Sequence, residues 1–92
     1  MAAECSYHIG ELNMREKNYK DAAKAFETVR DKYDGYEDWY SLSLLSLGEC
    51  YENAEDYEAA REIYLVLQSI RMDDEFAKTA QHRLKRLKKL QR

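Results

Sequence analysis

The stretch Ser46–Leu67, SLGECYENAEDYEAAREIYLVL, decides the fold. It reads as a helix carrying Leu47, Gly48 and Tyr51, a polar turn over Asn53–Asp56, and a second helix carrying Tyr57, Ala60, Tyr64 and Leu67. An earlier stretch repeats this pattern at a constant distance. Ile9 and Gly10 match Leu47 and Gly48, Tyr19 matches Tyr57, Ala22 matches Ala60, Phe26 matches Tyr64 and Val29 matches Leu67, each pair 38 residues apart. Self-similarity at a fixed period of this size is the mark of a helical repeat protein.

Composition agrees with helices throughout. The 92-residue chain has no proline and three glycines, and 45% of it is hydrophobic and 36% charged. That balance favours long helices over a turn-rich β fold, and the length allows one small domain with a limited core. The sequence predicts helices over about 2–16, 19–32, 37–53, 57–70 and 73–90. In the first, Ala3, Ser6, Ile9, Gly10 and Asn13 share an inward stripe. Gly10 costs about 1 kcal/mol against alanine in a helix interior. Because Gly48 repeats that cost at the same register, both glycines are read as places where a neighbouring helix comes close.

Asn18 and Asp56 are expected to cap the second and fourth helices, Gly35 and Asn53 to close the second and third, and Asp73–Glu75 to start the fifth. The third helix, with Trp39, Tyr40, Leu42, Leu44, Leu45 and Leu47, has almost no polar face in its first half and is the expected centre of the core. Tyr19, Tyr51, Tyr57 and Tyr64 fall where the repeat needs core aromatics. Trp39 reads as packing between units.

Charge is distributed unevenly. Residues 1–30 hold five acidic and five basic side chains, residues 31–77 thirteen acidic and three basic, and residues 78–92 seven basic and none acidic. Such polarity orients partners and argues against general nucleic-acid binding. Cys5 and Cys50 are too few for a disulfide framework or a zinc site and read as small buried hydrophobes in helices. Cys5 and His8 sit one helical turn apart, but nothing nearby completes a catalytic or metal site. Phosphate-binding and dinucleotide glycine patterns are absent from the sequence. No enzyme activity, cofactor, metal or small-molecule substrate is therefore expected. The sequence has no apolar run of the roughly 18 to 20 residues needed to cross a bilayer. A soluble piece of a longer protein is expected, its compartment, periplasm or cytoplasm, left open.

At Leu47-Gly48, Tyr51, Tyr57, Ala60, Tyr64 and Leu67, and at their counterparts Ile9-Gly10, Tyr19, Ala22, Phe26 and Val29, the chain resembles the tetratricopeptide repeat family. The resemblance implies an all-α, right-handed superhelix of two helix-turn-helix units, about 2–35 and 37–72, followed by a capping helix over about 73–90. Three features depart from the family. The period exceeds the usual one of about 34 residues, Asp34 and Met72 stand where proline commonly closes the unit, and Asn13 replaces the aromatic that Tyr51 keeps. With its long period and terminal helix on Ala77, Ala80 and Leu84, the chain is most similar to repeats of bacterial envelope proteins of the Tol-Pal coordinator and outer-membrane assembly lipoprotein type.

The resemblance further implies a protein-interaction module whose concave groove, lined by the first helix of each unit, takes a peptide or partner helix. Carried over by position, the lining is Tyr7, Glu11 and Met14, then Leu45, Glu49 and Glu52, then His82, Arg86 and Lys89. Glu11 and Glu49 stand where the best-known version of this groove clamps a C-terminal carboxylate, so such a tail is not the expected ligand. A basic or amphipathic protein segment is. Reversing Glu49 and Glu52 to lysine is expected to weaken capture without unfolding. The alternative is an assembly element, a homo-oligomer or part of a longer repeat stack.

Overall fold

The computed structural model describes residues 2–32, 37–71 and 74–90. They form five helices: α1 (Ala2–Arg15), α2 (Tyr19–Lys32), α3 (Glu37–Asn53), α4 (Tyr57–Arg71) and α5 (Glu75–Leu90). Among the described residues there is no strand. Each helix packs on its neighbour in sequence, and α3 alone touches all four others, as its continuous hydrophobicity requires. The architecture is an all-α helical repeat.

The turns after α1 and α3 are built identically, one period apart. Lys17 and Glu55 adopt left-handed backbone conformations, with φ of 63° and 62°. The Asn18 amide donates to the Asn13 carbonyl at 2.8 Å and the Lys17 amide to the Met14 carbonyl at 3.0 Å. The Asp56 amide donates to Tyr51 at 2.8 Å and the Glu55 amide to Glu52 at 3.0 Å. This paired bonding satisfies the last carbonyls of a helix and normally places glycine at the left-handed position. Glu55, not Asn53, thus closes α3, while the Asn53 side-chain amide donates back to the Glu49 carbonyl.

The helix starts follow their caps. The Asp56 carboxylate accepts the Ala59 amide at 3.3 Å, and Asp74 accepts the Ala77 amide at 3.1 Å. The Asn18 carbonyl accepts the Ala22 amide, as the residue before a helix does. The expected stop at Gly35, the unit-closing positions Asp34 and Met72, and the start contribution of Asp73 lie outside the described residues.

Phe26, Leu44, Leu47, Cys50, Tyr64, Leu67 and Leu87 are essentially inaccessible and form the centre of one core, with Ala22, Ala60 and Ala80 as the close-approach points. Both helical glycines are required by this packing. A Cβ on Gly10 would lie 2.5 Å from Phe26 Cε1, and one on Gly48 would lie 2.5 Å from Tyr64 Cζ.

Three expectations about burial change. Cys5 is exposed on α1 rather than buried, while Cys50 is buried as expected. Ile9 is 52% exposed rather than inward. Pressing Gly10 against the Phe26 ring fixes the rotation of α1, and the inward stripe becomes Ala3, Tyr7, Gly10 and Met14, which leaves Ile9 on the far side. In α3 the buried set includes Ser41 and Ser43, while Leu42 and Leu45 are only half-buried.

Candidate functional site: the face shared by α1, α3 and α5

The rotation of α1 that turns Ile9 outward brings Tyr7 and Met14 against α3. Tyr7 meets the Phe26 ring at 5.6 Å and Trp39 at 5.4 Å between centroids, so Trp39 joins α1 to α3. The Cys50 thiol donates to the Met14 sulfur at 3.2 Å. Between the two helices lies an open groove of about 270 Å³ lined by Tyr7, Glu11, Met14, Arg15, Ser46 and Glu49, with Phe26 at its base. Burial, reinforced by Glu11 and Glu49 against an opposing hydrogen bond with Ser46, raises the Tyr7 pKa above its ordinary value. The phenol therefore stays a neutral hydrogen-bonding group at physiological pH.

A second cavity, of about 350 Å³, lies beside the first, and Glu49 lines both. Its other walls are Glu52, Asn53, Tyr57, Arg86 and Leu90. Here the carboxylates are not free. Arg86 Nη2 lies 2.5 Å from Glu52 Oε1, and Arg83 Nη2 lies 3.5 Å from Glu49 Oε1. The Tyr64 hydroxyl donates to the other oxygen of Glu52, and Arg83 Nη1 donates to Tyr64 Oη at 3.3 Å. Burial first, and then its bond to Glu52, push the Tyr64 phenol far above its ordinary pKa.

The Glu52 side chain is only 9% exposed, so it is a structural tie between α3, α4 and α5 rather than a solvated groove carboxylate. Its reversal to lysine would place a cation against Arg86, and the double reversal expected to spare the fold would not spare it. Glu11 has an acceptor role of its own, bonded to His8 Nδ1 at 2.8 Å, with Glu4 3.6 Å from the other ring nitrogen. The bond to Glu11 is the main cause of a raised His8 pKa. His8 is thereby committed to carboxylates, and no group of three or more His, Cys, Asp or Glu able to hold a metal exists among the described residues. Burial raises the Cys50 thiol to about 12, which suppresses the reactive thiolate.

Of the nine candidates placed from sequence, Tyr7, Glu11, Met14, Glu49, Glu52 and Arg86 thus line the two adjacent cavities. Leu45 packs against the core, and His82 and Lys89 are exposed on α5 outside both cavities. Arg83 and Ser46 contribute without having been expected. The 38-residue step carries Tyr7 to Leu45 and Leu45 to Arg83, so the repeat register itself points to Arg83, one position beyond His82.

Paired helices stacked through close-approach glycines, with an open face across the first helix of each pair, define a helical-repeat scaffold. The family model for the tetratricopeptide repeat matches residues 4–35 and 42–70, well over half of the chain, and the chain belongs to that family. The matched segments span the two helix pairs and end before α5. The family's repeats generally mediate protein–protein interaction and form a non-catalytic scaffold. No curated protein and no solved structure matches the chain. No helix among the described residues is long and apolar enough to cross a membrane.

Proposed function

We propose that this chain binds an amphipathic peptide or partner helix along the face shared by α1, α3 and α5. In this reading the α1–α2 and α3–α4 pairs are two repeat units and α5 is the terminal helix that closes the groove. The observation that carries it is the adjacency of the two cavities, which share Glu49 in their linings. An apolar edge of the ligand would meet Met14 and Leu90, and its polar edge would meet Tyr7, Glu11 and Ser46. Arg83 and Arg86 already neutralise Glu49 and Glu52, so selection for net positive charge is weaker than the acidic sequence implies. Apolar contact and hydrogen bonding carry the affinity.

The test is a displayed library of short random peptides panned against the immobilised chain. Enriched peptides are then titrated by fluorescence anisotropy against the wild type, Glu11→Lys and Glu49→Lys. Both positions are substantially exposed, so each substitution costs no more than about 1 kcal/mol of stability. Amphipathic sequences whose affinity falls tenfold or more in both variants, with thermal melting little changed, support the groove. Enriched peptides indifferent to both reversals overturn it.

A further inference from the structure

The two ends of the stack carry complementary, uncovered surfaces. On α1 and the turn residue that follows it, the side facing away from the rest of the molecule presents Cys5, Ile9, Leu12 and Glu16 at four-, three- and four-residue spacing, a single stripe. Ile9 and Leu12 are 52% and 56% exposed, the extremes of the exposed apolar side chains along with Leu90 at 52%. At the opposite end, α4 and α5 enclose a groove of about 440 Å³ with a floor of Leu65, Leu84 and Leu87 and a rim of Arg61, Lys85 and Lys88. Val66 and Ile70, 42% and 44% exposed, extend the apolar surface along α4. No carboxylate among the described residues forms an ion pair with any of the three rim cations.

We propose that two copies of this chain associate head to tail, the outer stripe of α1 in one copy seating in the α4–α5 groove of the next. Charge selects this pairing over a symmetric one. A two-fold contact through the groove would place each copy's cationic rim against the other's, and one through the α1 stripe would leave both rims without a counter-charge, whereas the head, residues 2–17, carries Glu4, Glu11 and Glu16 against Arg15 and Lys17. Glu16 lies on the stripe itself, one turn beyond Leu12, where it can meet a rim cation while Ile9 and Leu12 cover the leucine floor. A contact between two different surfaces is heterologous and does not close, so association continues into short chains. The concave face is left open by this contact, and its occupancy is a separate matter.

The experiment is sedimentation velocity on the 92-residue chain from about 10 µM to 1 mM, with two variants. Ile9→Lys/Leu12→Lys blocks the head, and Leu65→Glu/Lys88→Glu blocks the tail. All four positions are exposed, and Lys85→Glu/Lys88→Glu supplies a second tail variant that touches only solvated side chains. The expected result is a wild-type average mass that climbs with concentration, either variant alone at monomer mass, and an equimolar mixture of head- and tail-blocked chains that forms a dimer and stops there. High salt should lower the wild-type mass, because the rim contribution is screened. A wild type that stays monomeric to 1 mM, or a mixture that fails to restore the dimer, overturns the proposal. So does a tail-blocked variant that still dimerises alone, since that is the mark of a symmetric contact.

Discussion

The two helix pairs share one architecture and solve the same joint with different chemistry. At the first, Gly10 lets α1 rest on the Phe26 ring, and Met14 accepts a thiol hydrogen bond from Cys50. At the second, Gly48 lets α3 rest on the Tyr64 ring, and Glu52, one period from Met14, accepts the Tyr64 hydroxyl and pairs with Arg86. The extra hydroxyl and the carboxylate that satisfies it therefore occur together, while the first pair has neither. A buried polar group left without its partner is costly, so positions 26 and 14, like 64 and 52, act as coupled choices. Polarity at the second joint also ties in α5, which the first has no equivalent need to do.

The glycines give the largest test of this comparison. Substituting either by alanine drives a methyl group into a fully buried aromatic ring, an overpacking penalty of typically 1–3 kcal/mol, only partly offset by the better helix propensity of alanine. Phe26 can shift within apolar surroundings, but Tyr64 is held by Glu52 and Arg83. Gly48→Ala should therefore cost more than Gly10→Ala, by about 1 kcal/mol in urea unfolding. Equal losses would show that the polar ties do not stiffen the second ring.

Coupling is the next largest effect. Tyr64→Phe alone leaves Glu52 with one donor fewer, and Glu52→Met alone leaves both the buried hydroxyl and Arg86 short of an acceptor. Each is expected to lose about 1–3 kcal/mol. The double variant Tyr64→Phe/Glu52→Met copies the first joint into the second and should be more stable than the two single losses added together imply, by about 1 kcal/mol or more. Strict additivity in a double-mutant cycle would mean that the two positions are independent.

Alkali should separate the joints as well. The Tyr64 phenol is raised above its ordinary 10.0, Tyr51, by burial and then by its bond to Glu27, to about 12, and the Cys50 thiol from 9.0 to about 12. For groups neutral when protonated, the unfolded chain releases these protons first. Their stabilisation is complete below about pH 9 and falls progressively as pH rises toward the folded-state values. Phe26 has no such proton. Unfolding free energies measured from pH 8 to 11 should decline in the wild type and less steeply in Tyr64→Phe; identical slopes would remove Tyr64 from the account.

How much of this was legible in the sequence depends on the distance over which each feature is determined. The 38-residue register, the helix spans, both aspartate caps and the close approaches at Gly10 and Gly48 follow from local spacing, and the structure has them. Ile9 turned outward because the rotation of α1 is set by Phe26 on another helix, which periodicity within α1 cannot report. Glu49 and Glu52 look solvated on their own helix. Their partners Arg83 and Arg86 lie 34 residues further on, and the pairing exists only once α5 packs across α3. Charge counting does not distinguish Arg83 from the exposed His82 beside it; only the 38-residue step from Tyr7 through Leu45 does.

The smallest prediction concerns the feature the two halves share most closely, the turn. Lys17 and Glu55 each hold a left-handed backbone that costs a side-chain-bearing residue about 1–2 kcal/mol, and glycine avoids this penalty while losing more freedom on folding. The net gain from Lys17→Gly or Glu55→Gly should be about 0.5–1 kcal/mol. The turns have φ values of 63° and 62° and matching hydrogen bonds at the same distances, so the gains should be equal even though the joints beneath them differ. Thermal unfolding of the two variants checks both points. A gain at one turn only would show that the side chain at the other makes a contact outweighing the strain, and the identity of the two turns would then hold for the backbone alone.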